Sequence, residues 1–131
     1  MKKVRGYIFS RPFMGERIPQ HVQNLVIRDY CDRNQLHYLL SATEYAMPRC
    51  QLILEQILGE LSSVDGLVAY SLFQLPQNTK ARQHVYRQIL KQEKTFYFAV
   101  EGLSIRTQIE CDRIEDLWRT RLTLPFCVLH T

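Results

Sequence analysis

The sequence predicts an α/β domain, a three-layer sandwich with helices on both faces of a mainly parallel, four-stranded sheet. Three observations carry this. Apolar runs of strand length alternate with longer stretches of helical periodicity, in the order β-α-β-α-β-α-β-α. The strand-length runs are apolar at consecutive positions, as strands covered on both faces require. The 131 residues are 46% hydrophobic and 23% charged, ordinary globular usage and enough for one core. No linker, repeat or low-complexity segment divides the chain, so residues 1–131 read as a single domain.

The first strand runs from Lys3 to Phe9, and Ser10-Arg11-Pro12 stops it. Pro19 suits a first helical turn, and Val22, Leu25, Val26 and Tyr30 recur at helical spacing, so a helix is expected over about 19–34. Leu36 to Ser41 is the second strand, and Thr43 to Met47 the loop after it. Pro48 opens a helix whose apolar face is Leu52, Ile53, Ile57, Leu58 and Leu61. After the Asp65-Gly66 turn, Leu67 to Leu72 forms the third strand. A helix over about 78–92 follows, with Ala81, Val85 and Ile89 as its buried stripe. Thr95 to Val100 is the fourth strand, rich in β-formers. The last helix spans Thr107 to Leu122, around Ile109, Ile114, Leu117, Trp118 and Leu122.

Several classes of function are disfavoured. No apolar run approaches the roughly 18 residues of a spanning helix, so no membrane partner is expected. The basic start is no signal peptide, because Arg5 and then Ser10-Arg11-Pro12 interrupt its apolar part. The cysteines at 31, 50, 111 and 127 form no CxxC pair, so they read as structural thiols in a cytoplasmic protein. The net charge of +4 is mild. Lys80, Arg82, Arg87, Lys91 and Lys94 read as the wet face of a helix, and a nucleic-acid partner is not expected. There is no GxGxxG, P-loop, GxSxG or HExxH, so neither cofactor nor metal is expected.

Ligands of such folds bind outside the carboxyl ends of the strands. The polar residues there are Ser10, Arg11 and Arg17 after strand one, and Ser41, Thr43, Glu44, Tyr45 and Arg49 after strand two. Ser71 and Gln74 follow strand three, and Glu101 follows strand four. Arg11, Arg17 and Arg49 could hold an anion, and Glu44, Glu101 and His21 could handle protons, with the hydroxyl and amide groups orienting a substrate. Each is also what a wet loop or helix cap contains. His37, inside a strand, is expected to be packed.

Two resemblances arise at these strand ends. Gly6-Tyr7-Ile8-Phe9-Ser10, Arg49-x-x-Leu52, Leu72-Phe73-Gln74-Leu75 and Phe98-Ala99-Val100-Glu101-Gly102 resemble the catalytic domain of serine recombinases, over roughly residues 3 to 120. That family sets an Arg two residues before its nucleophilic serine. It also carries an Asp-Arg pair and a further Arg after strand three, to bind the scissile DNA phosphate. This chain reads Ser10-Arg11, Phe73-Gln74 and Gln77 instead, so DNA cleavage is not expected. The longer stretches Arg5 to Gln20, Leu40 to Pro48, Tyr70 to Pro76 and Glu101-Gly102-Leu103 look like the bacterial sporadic carbohydrate cluster proteins. That resemblance implies a cytoplasmic enzyme or accessory protein of surface-carbohydrate biosynthesis, holding an anionic sugar, sugar phosphate or nucleotide sugar. Alternatives are a non-catalytic interaction module and a resolvase-like DNA-binding relative without cleavage activity. The apolar residues of the last helix and of the tail (Leu124, Phe126, Val128, Leu129) further suggest a homodimer.

Overall fold

The structure, a computed structural model, describes residues 1–15, 17–47 and 51–123. Its strands are β1 (Lys2–Phe9), β2 (Leu36–Glu44), β3 (Gly66–Ala69), β4 (Thr95–Phe98) and β5 (Leu103–Ile105). Its helices are α1 (Gln20–Arg33), α2 (Leu52–Gly59), α3 (Thr79–Lys91) and α4 (Gln108–Thr123), with 3₁₀ turns at Leu61–Ser63 and Leu72–Gln74. The sheet order is β2-β1-β3-β4-β5. The first four strands run parallel, and β5 returns antiparallel to β4.

Side chains of each strand alternate between two cores. Tyr7, Phe9, Leu67, Ala69, Phe96 and Phe98 pack with residues of α2, α3 and α4. Val4, Ile8, Val68 and Tyr97 pack with Ile27, Tyr30 and Cys31 of α1. The sheet is thus covered on both faces, which explains why its strands lack hydrophobic alternation. Gly66 lets β3 and β4 approach, since a Cβ there would stand 2.2 Å from the Thr95 carbonyl oxygen.

The expected architecture holds, with differences of detail. Among the described residues there are five strands, not four. Gly102 (φ +66°) takes the left-handed conformation and donates its N–H to Phe98 O at 3.0 Å, reversing the chain into β5. β2 continues through Thr43 to Glu44, and Leu72 belongs to a 3₁₀ turn. The expected opening of α2 at Pro48 lies outside the described residues. His37 is exposed, because it sits on the outermost strand. Ile109 is 81% exposed and plays no part in the α4 stripe, which is Cys111, Ile114 and Trp118.

Arg82 also departs from expectation. It is 2% exposed and forms a bidentate ion pair with Glu115 of α4 at 2.7 and 2.9 Å. It also donates to the carbonyls of Pro76 (3.1 Å) and Gln77 (2.8 Å), and its guanidinium lies 4.4 Å from the Trp118 ring centroid. The Tyr86 hydroxyl donates to Glu115. Burial, reinforced by that carboxylate, pushes the Tyr86 hydroxyl far up. Burial alone would raise the Glu115 carboxyl as well, but the Arg82 and Tyr86 hydrogen bonds override it and hold it below its ordinary value. With Trp118 fully buried here, the α4 stripe is covered within the domain. The expected dimer therefore loses that part of its basis; the tail at 124–131 lies outside the described residues.

Candidate functional site

Parallel register brings the strand exits to one edge, with Phe9 beside Glu44, Tyr7 beside Ala69 and Ala69 beside Phe98. Ser10, Tyr45, Tyr70 and Val100 follow at that edge, and three polar assemblies organise it.

The first is a buried amide pair. Gln23 Oε1 accepts from the Phe9 N–H (3.0 Å), while its Nε2 donates to the carbonyls of Phe9 and Ile18, both at 2.9 Å. Gln74 Nε2 donates to Gln23 Oε1 at 2.8 Å. Gln74 Oε1 in turn accepts from the backbone N–H groups of Tyr70 (3.1 Å) and Ser71 (3.3 Å). Two glutamines thus satisfy the exits of β1 and β3, where the ladder ends and backbone groups need partners. Gln23→Leu strands those groups in the interior and is expected to cost about 2–3 kcal/mol. Urea unfolding checks this, and an unchanged midpoint contradicts it.

The second assembly surrounds Glu44, which is fully buried. Its carboxylate accepts from the Tyr7 hydroxyl (2.8 Å) and from the N–H groups of Ile53 (3.0 Å) and Leu54 (3.2 Å), so it caps α2. The third surrounds Glu101, which accepts from the Ser71 hydroxyl (2.7 Å) and the Leu72 N–H (2.9 Å). The Ser71 hydroxyl oxygen also accepts from the Phe73 N–H at 3.1 Å. Both carboxylates, expected to handle protons, use these bonds to hold strand ends and first helical turns.

A cavity of about 670 Å³ opens between the loop after β1, the segment after β2 and the turn after β3. Phe9, Arg11, Phe13, Gln51, Phe73 and Gln77 are among its lining residues. Of the polar residues expected to converge, Arg11 lines it. Its guanidinium lies 4.2 Å from the Phe9 ring centroid and donates to the Tyr45 carbonyl at 3.0 Å.

The other expected residues are placed differently. Ser10 donates its hydroxyl to the Glu44 carbonyl at 2.7 Å. Ser41 bonds the Tyr38 hydroxyl and Asn24 of α1, under the opposite face of the sheet. Thr43 is half-buried within β2; Arg17, His21 and Tyr45 are exposed outside the cavity lining. Arg49 lies outside the described residues. The phenylalanines and the amides of Gln23, Gln51 and Gln77 were missed as site residues. The aromatics standing at successive strand exits were the available signal.

No protein-family model and no curated protein matches the chain. Solved structures do. The N-terminal catalytic domain of TP901-1 integrase matches with a TM-score of 0.65 at 11% identity, covering 91% of this chain and 95% of that one. A resolvase family site-specific recombinase from Streptococcus pneumoniae matches with a TM-score of 0.66 at 8% identity, covering 97% and 94%. The fold is that of a recombinase catalytic domain. The carbohydrate-cluster resemblance finds no counterpart in these comparisons. Likeness to an integrase and a site-specific recombinase also corrects the expected partners: a sugar ligand gives way, and nucleic acid can no longer be set aside. Among the described residues no helix is long and apolar enough to cross a membrane.

At the positions where the recombinase resemblance calls for phosphate-binding cations, the side chains here are neutral. Ile8, two residues before Ser10, is 2% exposed in the α1-side core. Gln74 is committed to Gln23 and to backbone, and Phe73 packs against Trp118 with ring centroids 5.2 Å apart.

Proposed function

We propose that this domain is a recombinase-like nucleic-acid-binding module that does not cleave DNA. The observation that carries this reading is a recombinase catalytic fold whose strand-end edge has neutral or apolar side chains at Ile8, Phe73, Gln74 and Gln77. Phosphoryl transfer places its growing charge on the transferred group, and catalysis consists largely of fixed cations aimed at it. Among the described residues Arg11 is the cation lining the cavity at this edge, and the Ser10 hydroxyl is engaged with the Glu44 carbonyl. Binding needs less. Arg11 and Arg17 on the loop after β1, with Arg121 bonded to the Met14 carbonyl beside them, give the edge a positive rim for phosphates.

Fluorescence anisotropy with a labelled duplex across a salt series tests both halves. Dissociation constants on the order of 10⁻⁴ to 10⁻⁶ M are expected at physiological salt, weakening steeply as salt rises. Replacing Arg11 and Arg17 together by Ala should flatten the salt slope by about two phosphate contacts. Denaturing gels should show no protein–DNA adduct. Absence of binding even at low salt overturns the reading, as does a covalent link through Ser10.

A further inference from the structure

We infer that the strand-end cavity takes a nucleoside monophosphate, either free or as the unstacked unit of a single strand. This rests on the nucleic-acid reading above and deepens it. At about 670 Å³ the cavity falls within the range of small-ligand sites, roughly 300–1,000 Å³. Its walls combine aromatic and polar side chains, the two chemistries that a nucleotide presents. Phe73 supplies aromatic surface for a base, while Phe9 and Phe13 line the cavity as buried core rings. Phe73 is half-buried and braced from behind by Trp118, so its ring is already positioned. Gln51 and Gln77 bring side-chain amides, which carry both donors and acceptors, as base edges do.

Among the described lining residues the cation is Arg11. Arg11 is oriented by the Phe9 ring and the Tyr45 carbonyl, and its fork retains N–H groups for phosphate oxygens. The rim does not need to be built on binding, because Arg82 fixes the Pro76 and Gln77 carbonyls from inside. A duplex cannot use this cavity. Its bases are stacked, and a base reaches an aromatic wall only after leaving the stack. An isolated phosphate would engage Arg11 and leave the aromatic wall unused. The unit that matches both parts is a base with its own phosphate.

The test titrates the intact protein with a labelled oligothymidylate and a duplex of equal length, then competes with thymidine monophosphate or inorganic phosphate. Single strand should bind about tenfold tighter than duplex, with inorganic phosphate ineffective at nucleotide concentrations that compete. Phe73→Leu keeps apolar bulk against Trp118 and should weaken single-strand binding several-fold, leaving duplex binding unchanged; exposed Gln77→Ala should act the same way, more weakly. Melting curves verify that both variants fold. Competition by free nucleotide identifies that source, and binding of the strand without such competition identifies the in-chain unit. Equal affinity for the two forms, or a preference untouched by both substitutions, overturns this inference while the nucleic-acid reading stands. Failure to bind either form overturns both.

Discussion

Trp118→Ala is expected to destabilise the domain by about 3–5 kcal/mol, the ordinary range for removing a buried indole. Trp118 has no exposed surface, its ring meets Phe73 on one side and it carries the Arg82 guanidinium on another. Alanine leaves a void where three elements meet: α3, α4 and the turn after β3. Its Nε1 has no hydrogen-bond partner among the described residues, so Trp118→Phe forfeits area but no polar contact and should be much the milder change. Chemical denaturation of the two variants decides it. Equal losses would mean that the indole N–H matters and ring volume does not.

Arg82→Ala should be as severe, again about 3–5 kcal/mol, because it leaves the Glu115 carboxylate and two backbone carbonyls in the interior without their donor. The pH dependence separates this from simple loss of packing. In the native protein the Glu115 carboxyl is held below its ordinary value of 4.5. Its contribution to stability is therefore fully present above that value and is lost as pH falls through the folded-state value. In Arg82→Ala the Arg82 contributions are gone while the Tyr86 hydrogen bond remains, so the carboxyl is held down less strongly. The variant should then lose less stability on acidification than the parent. Melting temperatures across the acid range for the two proteins would expose the shallower slope, and parallel curves would contradict this account.

Both residues could be placed from the chain only in part. The α4 stripe of Ile114, Leu117 and Trp118 was visible as periodicity, while the partner that covers it was not. Arg82 carried a signal that its charge obscured. It stands three, four and seven residues before Val85, Tyr86 and Ile89, on the same helical stripe. Gln23 repeats the case, four, seven and eight residues before Ile27, Tyr30 and Cys31. In each helix a polar residue on the apolar stripe marks a buried network, so spacing was the better guide than residue type. β5 escaped notice because three residues are too few to show a period, and its pairing depends on the reversal at Gly102. The strand-end edge was legible as a place, since alternating strands and helices determine it. What each side chain does there was not, because caps and ligand contacts draw on the same serine, glutamate and glutamine residues. Only the bonds distinguish them.

The order of strands has a consequence beyond ligand binding. Among the described residues β2 is the longest strand at nine residues, and it is also outermost, paired on one side with β1. The opposite margin of the sheet ends in the three residues of β5, too short to template much. The two margins are therefore unequal hazards. An unpaired row of main-chain donors and acceptors invites a strand from another molecule, and Leu40, 84% exposed, adds an apolar grip along β2. A change that loosens the core is expected to favour strand addition at that rim, so colloidal behaviour and conformational stability should decline together.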